Sequence, residues 1–157
     1  MRRLRLGGRS TSHLRRLRLP QCESISNNGL VEAAKKLPLL EELHDIPFGK
    51  LTQDSLKAIG RCCPHLKTLK FSMSQYDMFL DGDVFAIVET MPKLRYLQIP
   101  GNFLTDKGFH DIVDGCRLLE FLDLGYCYNN DLTGSLRKMW SDCRSKRYGF
   151  ELKYKMF

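Results

Sequence analysis

The sequence is short of the features that mark several large classes of protein. No window of its 157 residues approaches the roughly eighteen uninterrupted apolar residues of a membrane-spanning helix. Its first residues contain no apolar stretch of the kind that secretory signals carry. Walker and glycine-rich phosphate-binding strings are absent, and no two cysteines have the CxxC spacing of zinc ligands. These absences argue against a membrane span, a nucleotide-binding enzyme and a zinc module.

Acidic residues are missing from the N-terminal end. Residues 1–18 hold seven Arg and no Asp or Glu. The rest of the chain holds the other 18 of the 25 basic residues and all 18 acidic residues. The net charge of +7 is therefore local. Such an end can favour phosphate or acidic protein surfaces. It can equally be a solvated face, an unstructured start, or an organelle transit peptide that competes with a repeat beginning inside it.

Catalytic groupings are also missing. The four histidines lie far apart along the chain, and no serine or cysteine stands in a recognised nucleophile motif. The histidines are His13, His44, His65 and His110. We therefore expect a protein that is not an enzyme and that uses no cofactor or catalytic metal.

Six cysteines are spread along a chain with 43% hydrophobic and 27% charged residues, the composition of a globular domain. Without an export signal, such cysteines are expected to stay reduced. The length favours a single folding unit. We expect one domain in a reducing compartment, which means the cytoplasm, the nucleus or both.

A repeated LxxLxL-like string is the strongest pattern that is present. It begins at residues 14, 40, 66, 94 and 119, with separations of 26, 26, 28 and 25 residues. The second copy is weaker, because Asp45 occupies the third apolar position and Ile46 follows it. Each string alternates apolar and polar residues, which predicts a short strand with its leucines turned inward. Cys22, Asn102 and Cys127 follow three residues after the third apolar position, where a small side chain can support the backbone leaving the strand.

The second half of each repeat has helical periodicity. We predict N-caps at Ser26, Thr52, Asp81 and Thr105. The residues four later are Leu30, Leu56, Phe85 and Phe109, and those seven later are Ala33, Ile59, Val88 and Ile112. Apolar residues three apart mark one helical face against the strands. The helices should end near Pro38, Pro64, Pro92 and Cys116, and Cys63 and Cys116 should both turn inward.

These two sets of positions predict an α/β fold, a leucine-rich-repeat solenoid of the cysteine-containing type. About five strand-turn-helix repeats would form a short curved horseshoe over residues 14–135. Residues 1–13 would be a basic segment or an edge strand, and residues 136–157 a C-terminal cap or tail. Repeats of this kind must stack in groups of about three or more before their leucines share a continuous core.

The strings also resemble a known family. The segments SHLRRLRLPQCESISNNGLVEAAKKLPLLEEL, SLKAIGRCCPHLKTLKF, ETMPKLRYLQIPGNFLTDKGFHDIVDGC and LLEFLDLGYC resemble the repeats of plant F-box/LRR-repeat proteins. The resemblance covers residues 10 to 135. It implies two functional parts: an F-box module that docks the Skp-type adaptor of a cullin-RING ubiquitin ligase, and repeats that recruit the protein to be ubiquitinated.

The resemblance reaches the repeats alone. Thirteen residues before the first repeat are too few for adaptor-docking helices, so a Skp-type adaptor and a cullin are partners implied by the family and not by these residues. We expect a protein-binding module that resembles the substrate-recognition part of such a ligase but is uncoupled from it. The alternatives are a basic nucleic-acid-associated repeat protein and a truncated fragment that has lost its function.

Residues between the strand leucines should point away from the core and form a binding face for a target protein. They are Arg16, Arg18, Glu42, His44, Thr68, Lys70, Tyr96, Gln98, Phe121 and Asp123. Tyr96 and Phe121 are either interface anchors or ordinary exposed aromatics. Arg16, Arg18 and Lys70 either meet an acidic or phosphorylated partner or are merely solvated.

An insertion, SMSQYDMFLDGD, delays the helix of the third repeat. Insertions in repeats often form loops that touch the partner. Met73, Tyr76, Met78 and Phe79 make this one apolar. It either contacts the target or folds back over the edge of the sheet.

Overall fold

The computed structural model describes residues 11–20, 25–47, 51–72, 78–129, 134, 138, 141 and 151–156. Strands and helices alternate through most of these residues, after a 3-10 turn at Thr11–His13. The strands are β1 (Arg16–Arg18), β2 (Glu42–Pro47), β3 (Thr68–Ser72), β4 (Tyr96–Gln98), β5 (Gly101–Asn102), β6 (Phe121–Cys127) and β7 (Glu151–Met156). The helices are α1 (Asn27–Lys35), α2 (Gln53–Cys62), α3 (Asp81–Thr90) and α4 (Asp106–Gly115). None of these helices is long and apolar enough to cross a membrane.

The described strands form one open sheet in which every pairing is parallel. β1, β2, β3, β4 and β6 are neighbours in that order, β5 also pairs with β6, and β7 lies along the other edge of β6. Parallel neighbours need a crossover connection, and α1 to α4 each lie within one such connection. Successive helices pack against one another. The predicted α/β class is confirmed.

The middle leucines of the five strings lie in one row across the sheet. Leu17 aligns with Leu43, then with Leu69, Leu97 and Leu122. The last four are at most 1% exposed. Each buried leucine contributes roughly 1.5–3 kcal/mol relative to an exposed one. The core is therefore a continuous layer shared by neighbouring strands, as the spacing of the strings predicts.

Two predicted helix caps have the expected hydrogen bonds. The Ser26 hydroxyl accepts a hydrogen bond from the Gly29 backbone N–H at 3.1 Å, and Thr52 Oγ1 accepts one from the Ser55 N–H at 3.2 Å. Both caps satisfy donors that the first helical turn leaves unpaired. Leu30 and Leu56, four residues after the caps, are buried as predicted.

The cap predicted at Asp81 is wrong by one residue. The N-cap of α3 is Leu80, whose backbone N–H donates to Asp83 Oδ2 at 3.0 Å. Asp81 is the first helical residue and bonds the next repeat instead, because its carboxylate accepts from the Thr105 N–H at 2.9 Å and from the Thr105 hydroxyl. Thr105 is the N-cap of α4 as predicted, but its side chain makes no cap bond within its own helix.

Because α3 is capped one residue earlier, the prediction that Phe85 and Val88 face the sheet is also wrong. Val84 and Ile87 are fully buried, whereas Phe85 is 49% exposed and Val88 is half-buried. Counting from Leu80 places residues 84 and 87 inward, the same offsets that bury the other helices. The insertion before α3 leaves an aspartate next to the true cap, and its strong capping preference misplaces the start of the helix.

The weak second string is explained by an extra residue in β2. Leu43 aligns with Leu69 and Ile46 with Phe71, so β2 uses one residue more than β3 over this stretch. Asp45 takes up the difference with a φ of 57° and is exposed. Ile46, at 1% exposure, therefore fills the third inward position in place of Asp45.

Asn102, Cys63, Cys116 and Cys127 are buried, as their predicted inward positions require. Asn102 is fully buried; its Nδ2 donates to the Leu124 carbonyl at 2.7 Å, and its Oδ1 accepts from the Leu104 N–H at 3.3 Å. Cys63, also buried, donates its thiol to the Leu37 carbonyl at 3.6 Å. Burial raises the pKa of the Cys63 thiol to about 11 and also raises the pKa of Cys127. Cys22 lies outside the described residues.

The end of the insertion folds back onto the sheet. Phe79 is 1% exposed and packs edge-on against Phe71, with ring centroids 4.7 Å apart. Its N–H donates to the Gly101 carbonyl at 3.1 Å, and its carbonyl accepts from the Phe103 N–H at 2.9 Å. Met78 is half-buried, while Met73 and Tyr76 lie outside the described residues. For Phe79, the structure favours the alternative in which the insertion covers the sheet.

Candidate functional site

The side of the sheet opposite the leucine row carries two rows of side chains, which we call the strand face. The first row follows the strand register through Arg16, Glu42, Thr68, Tyr96 and Phe121. The second row contains Arg18, His44, Lys70, Gln98, Asp123 and, on β7, Lys153. Neighbouring strands lie about 4.8 Å apart, so the two rows form one continuous surface. The structure thus brings all the predicted face residues to one side of the sheet.

At the β1–β2 end, charges are paired within the face. Arg16 Nε lies 2.7 Å from Glu42 Oε2, and the same carboxylate oxygen lies 3.1 Å from His44 Nε2. The Arg16 guanidinium lowers the pKa of Glu42 below its ordinary value. Glu42 is therefore a charged acceptor that holds both neighbours in position.

His44 and Thr68 are less accessible than their positions in the strands suggest. Each is only 8% exposed. Burial lowers the pKa of His44, and the nearby cations Lys70 and Arg18 lower it further, while Glu42 opposes the shift. The neutral imidazole is consequently favoured in the folded protein. These two residues form the floor of the strand face, and longer neighbours supply its outer surface.

In the middle of the face, Tyr96 and Phe121 form an aromatic pair. Their ring centroids are 6.3 Å apart and their planes are inclined by 35°. Tyr96 is 40% exposed, and Phe121 is half-buried. Aromatic rings at such separations attract one another and offer apolar area with little conformational freedom to lose on binding. The pair is a rigid apolar platform between polar neighbours.

The far end of the second row is closed by a residue that the sequence analysis does not identify. Lys153 Nζ on β7 lies 3.5 Å from Asp123 Oδ2, and its side chain is 62% exposed. The alternation in ELKYKM is a strand signal that could have placed Lys153 on this face. Its distance from the last LxxLxL string, and the irregular segment between them, hid that relationship.

A third line of charged residues, which the sequence analysis also did not identify, lies directly before the first residues of the strands. Glu41 binds both Arg15 and Lys67, the latter at 2.9 Å, and Arg95 binds Glu120. Lys67 and Arg15 together lower the pKa of Glu41. The partners are 25 or 26 residues apart, one repeat length. That spacing of opposite charges is the signal by which the sequence alone could have predicted these pairs.

The strand face thus combines fixed charges with an exposed aromatic platform on a rigid parallel sheet. Interfaces between proteins commonly place aromatic and arginine side chains at their centre. Within the described ranges, no group of three or more His, Cys, Asp or Glu side chains could hold a metal ion. The fold is that of an α/β protein with a parallel sheet, and the strand face is its candidate binding surface.

Comparison with known proteins identifies the family, although no family model matches the chain. The chain is 47% identical over 128 residues to the F-box protein SKIP19 of Arabidopsis thaliana, 45% identical over 132 residues to F-box/LRR-repeat protein 23 and 41% identical over 128 residues to F-box/LRR-repeat protein 9 of the same plant. Each match covers 82% of this chain, but only 41%, 29% and 52% of the respective relatives. The chain belongs to the plant F-box/LRR-repeat family and corresponds to about a third to a half of these relatives.

Proposed function

We propose that this chain is a leucine-rich-repeat module whose strand face binds a protein target. The family resemblance implies this role for its repeats, namely substrate recognition for a cullin-RING ubiquitin ligase. The observation that carries the proposal is the Tyr96–Phe121 platform, held between charged residues on the exposed side of the sheet.

The regular alignment of the strands supports a solenoid of stacked repeats. Each strand pairs with the strand of the next repeat, and the middle leucines of the strings align from strand to strand. Helix–helix packing likewise joins successive repeats. Contacts confined to neighbouring repeats are typical of solenoids, which use the strand side as a binding surface. We propose that the described repeats continue this pattern as a short curved horseshoe.

The exposed aromatic area supports target binding over a purely structural role. A surface aromatic that is 40% exposed leaves apolar area in water, and covering that area with a partner is favourable. The ion pairs around Glu42 and Glu41 fix the surrounding side chains before a partner arrives. Such preorganisation reduces the entropy that binding must overcome.

The buried thiols support a reducing compartment, which we propose to be the cytoplasm or the nucleus. Cys63 and Cys127 are free thiols and are at most 1% exposed. The Cys63 thiol donates to the Leu37 carbonyl, and oxidation of a buried thiol would enlarge a side chain in the core and make it more polar. Imaging of the protein in plant cells, with a tag at either end, tests this location.

The binding proposal is tested by replacing Tyr96 and Phe121 together with alanine. The immobilised chain would be incubated with plant lysate, and the retained proteins would be quantified by mass spectrometry. We expect a set of proteins that wild type retains to fall at least about tenfold with the double variant, because a central aromatic pair is worth upwards of about 1.4 kcal/mol.

A matched control removes two exposed apolar side chains that lie outside the strand face. Phe85→Ala with Leu118→Ala changes two side chains that are each 49% exposed and lie off the strand face. This control should retain the same proteins as wild type, and circular dichroism should show that both double variants are folded. Equal losses with the two double variants, or no loss with either, would contradict the proposed binding face.

The proposal assigns target binding, and not adaptor docking, to the described repeats. The family resemblance implies that a separate F-box module docks the Skp-type adaptor. A pull-down of purified adaptor should therefore retain the repeats when they are joined to an F-box and not when they are used alone. Retention of the adaptor by the repeats alone would show that they dock it directly.

A further inference from the structure

Two cations on the strand face differ from the other basic residues around them. Arg15, Arg16 and Lys67 each have a carboxylate partner. Arg18 and Lys70 have no carboxylate within 4.0 Å among the residues that the structure describes, and both side chains reach the surface. Their positive charge is available to a partner, whereas the charge of their neighbours is already neutralised.

Arg18 and Lys70 lie on either side of His44. Arg18 aligns with His44 across β1 and β2. On β3, Lys70 comes directly after Leu69, the partner of Leu43, where β2 carries its extra residue. With about 4.8 Å between neighbouring strands, the backbones that carry the two cations are about 10 Å apart. Both cations lower the pKa of His44, which shows that their fields overlap on the imidazole between them. The neutral His44 adds a hydrogen-bonding group to this site without adding a third charge.

The rest of the strand face has a different character. The next strands carry Tyr96 and Phe121 in the first row, and Asp123, in the second row on β6, is neutralised by Lys153. The face is therefore divided into a cationic part on β1–β3 and an apolar part on β4–β6. A segment that crosses the strands would meet the two parts in sequence.

We propose, on the basis of the proposed function, that the target presents an extended segment with two carboxylate side chains followed by an apolar or aromatic residue. In an extended chain, side chains on the same face recur every second residue, about 6.6 Å apart, and the long side chains of Arg18 and Lys70 can reach carboxylates at that spacing from strands about 10 Å apart. The apolar residue would follow about two residues later and cover Tyr96 and Phe121.

Single carboxylates fit this surface better than a phosphate dianion. Glu42 lies on β2 between the strands of the two cations, and its side chain is 28% exposed. A doubly charged group drawn toward His44 would meet the field of this carboxylate, which Arg16 keeps ionised. Two separate single charges, one at each cation, keep farther from Glu42.

The test begins with a random peptide library displayed on phage and selected on the purified chain. Selected peptides would be synthesised with a fluorescent label, each with a partner in which Asp and Glu are replaced by Asn and Gln. Fluorescence anisotropy then gives the dissociation constants. We expect the acidic form to bind roughly tenfold more tightly, with the difference shrinking as salt is added.

Three double variants identify where the peptides bind, and a fourth reverses the charge of the cationic part. Arg18→Gln with Lys70→Gln removes the cationic part, and Tyr96→Ala with Phe121→Ala removes the platform. Lys93→Gln with Arg117→Gln is the matched control, because these cations are exposed in the turns before β4 and β6. The first two variants should each weaken binding at least about tenfold, and the control should leave it unchanged. Reversal with Arg18→Glu and Lys70→Glu should favour peptides in which the acids are replaced by lysine.

The outcomes separate this inference from the function on which it rests. Peptides that need Tyr96 and Phe121 but show no acidic preference would overturn the inference and leave the binding face in place. A phosphoserine form that binds more tightly than the carboxylate form would overturn the choice of ligand. If no peptide is selected, or if the platform variant binds as well as wild type, both the inference and the proposed face are overturned.

Discussion

The two sides of the same sheet follow opposite rules. On the buried side, the middle position of each string is leucine, and Leu43, Leu69, Leu97 and Leu122 occupy nearly identical surroundings. One residue earlier on the same strands, the exposed side carries Glu42, Thr68, Tyr96 and Phe121, which share no chemical type. Uniform residues stabilise a repeating core, whereas varied residues distinguish one partner from another. Stability and recognition are therefore assigned to alternate residues of each strand.

The largest loss of stability is expected from a substitution on the buried side of β4. Leu97→Ala should lower the free energy of unfolding by about 3–5 kcal/mol, because it removes a fully buried side chain from a layer shared with both neighbouring strands. The control is the adjacent Gln98→Ala on the exposed side, which should change stability by about 0.5 kcal/mol or less. Urea unfolding followed by circular dichroism measures both, and comparable losses would break the comparison.

An intermediate effect is expected at Asn102, where a polar side chain supports the buried side. Asn102→Ala should cost about 2 kcal/mol, because the Leu124 carbonyl and the Leu104 N–H lose a buried partner. Asn102→Cys should cost less, since cysteine occupies the equivalent position at Cys127. Asn28→Ala, on the exposed part of α1, is the control and should be nearly neutral. If the cysteine and alanine variants were equally unstable, the proposed equivalence would fail.

The smallest effect on stability is expected at His44, a residue of the strand face that is only 8% exposed. Its pKa is lowered from the ordinary value of 6.5, mainly by burial. The unfolded chain therefore takes up this proton at a higher pH than the folded protein does. The contribution of His44 to stability is present above pH 6.5 and is lost as the pH falls through the lower folded-state pKa.

The measurement is urea unfolding of wild type and His44→Gln at about pH 7 and about pH 5.5. Wild type should lose more stability than the variant between these two values, and the difference isolates His44 from the other titrating groups. Equal losses in the two proteins would show that the imidazole is as accessible to protons as an exposed histidine. His65→Gln, which changes an exposed histidine, should behave like wild type.

The successes and failures of sequence reasoning have distinct physical origins. Leucine spacing predicted the strands because one face of each must be buried, and a slip of one residue would expose the whole apolar set. The caps at Ser26 and Thr52 followed from local hydrogen bonding. Asp81 was misassigned because its carboxylate bonds Thr105 in the next repeat, a partner that no local rule can reveal. The incorrect prediction that Phe85 is buried followed directly from that error.

The sequence predicts which residues lie on the strand face, but not which of them are paired or buried. Alternation alone places Arg18, Lys70 and Tyr96 on the same side of the sheet. Which cations are neutralised depends on partners one repeat away, as in the pair of Arg16 with Glu42. The burial of His44 and Thr68 also depends on neighbours in adjacent strands.

By itself, the sequence determined the repeat, the inward leucines and the class of fold, because apolar burial imposes a period that can be read along a single chain. The tertiary structure alone decided that Ile46 replaces Asp45 in the core, that Phe79 folds onto Phe71, and that β7 brings Lys153 to Asp123. These features depend on the distances between residues far apart in the chain. Such distances exist only after the strands have paired.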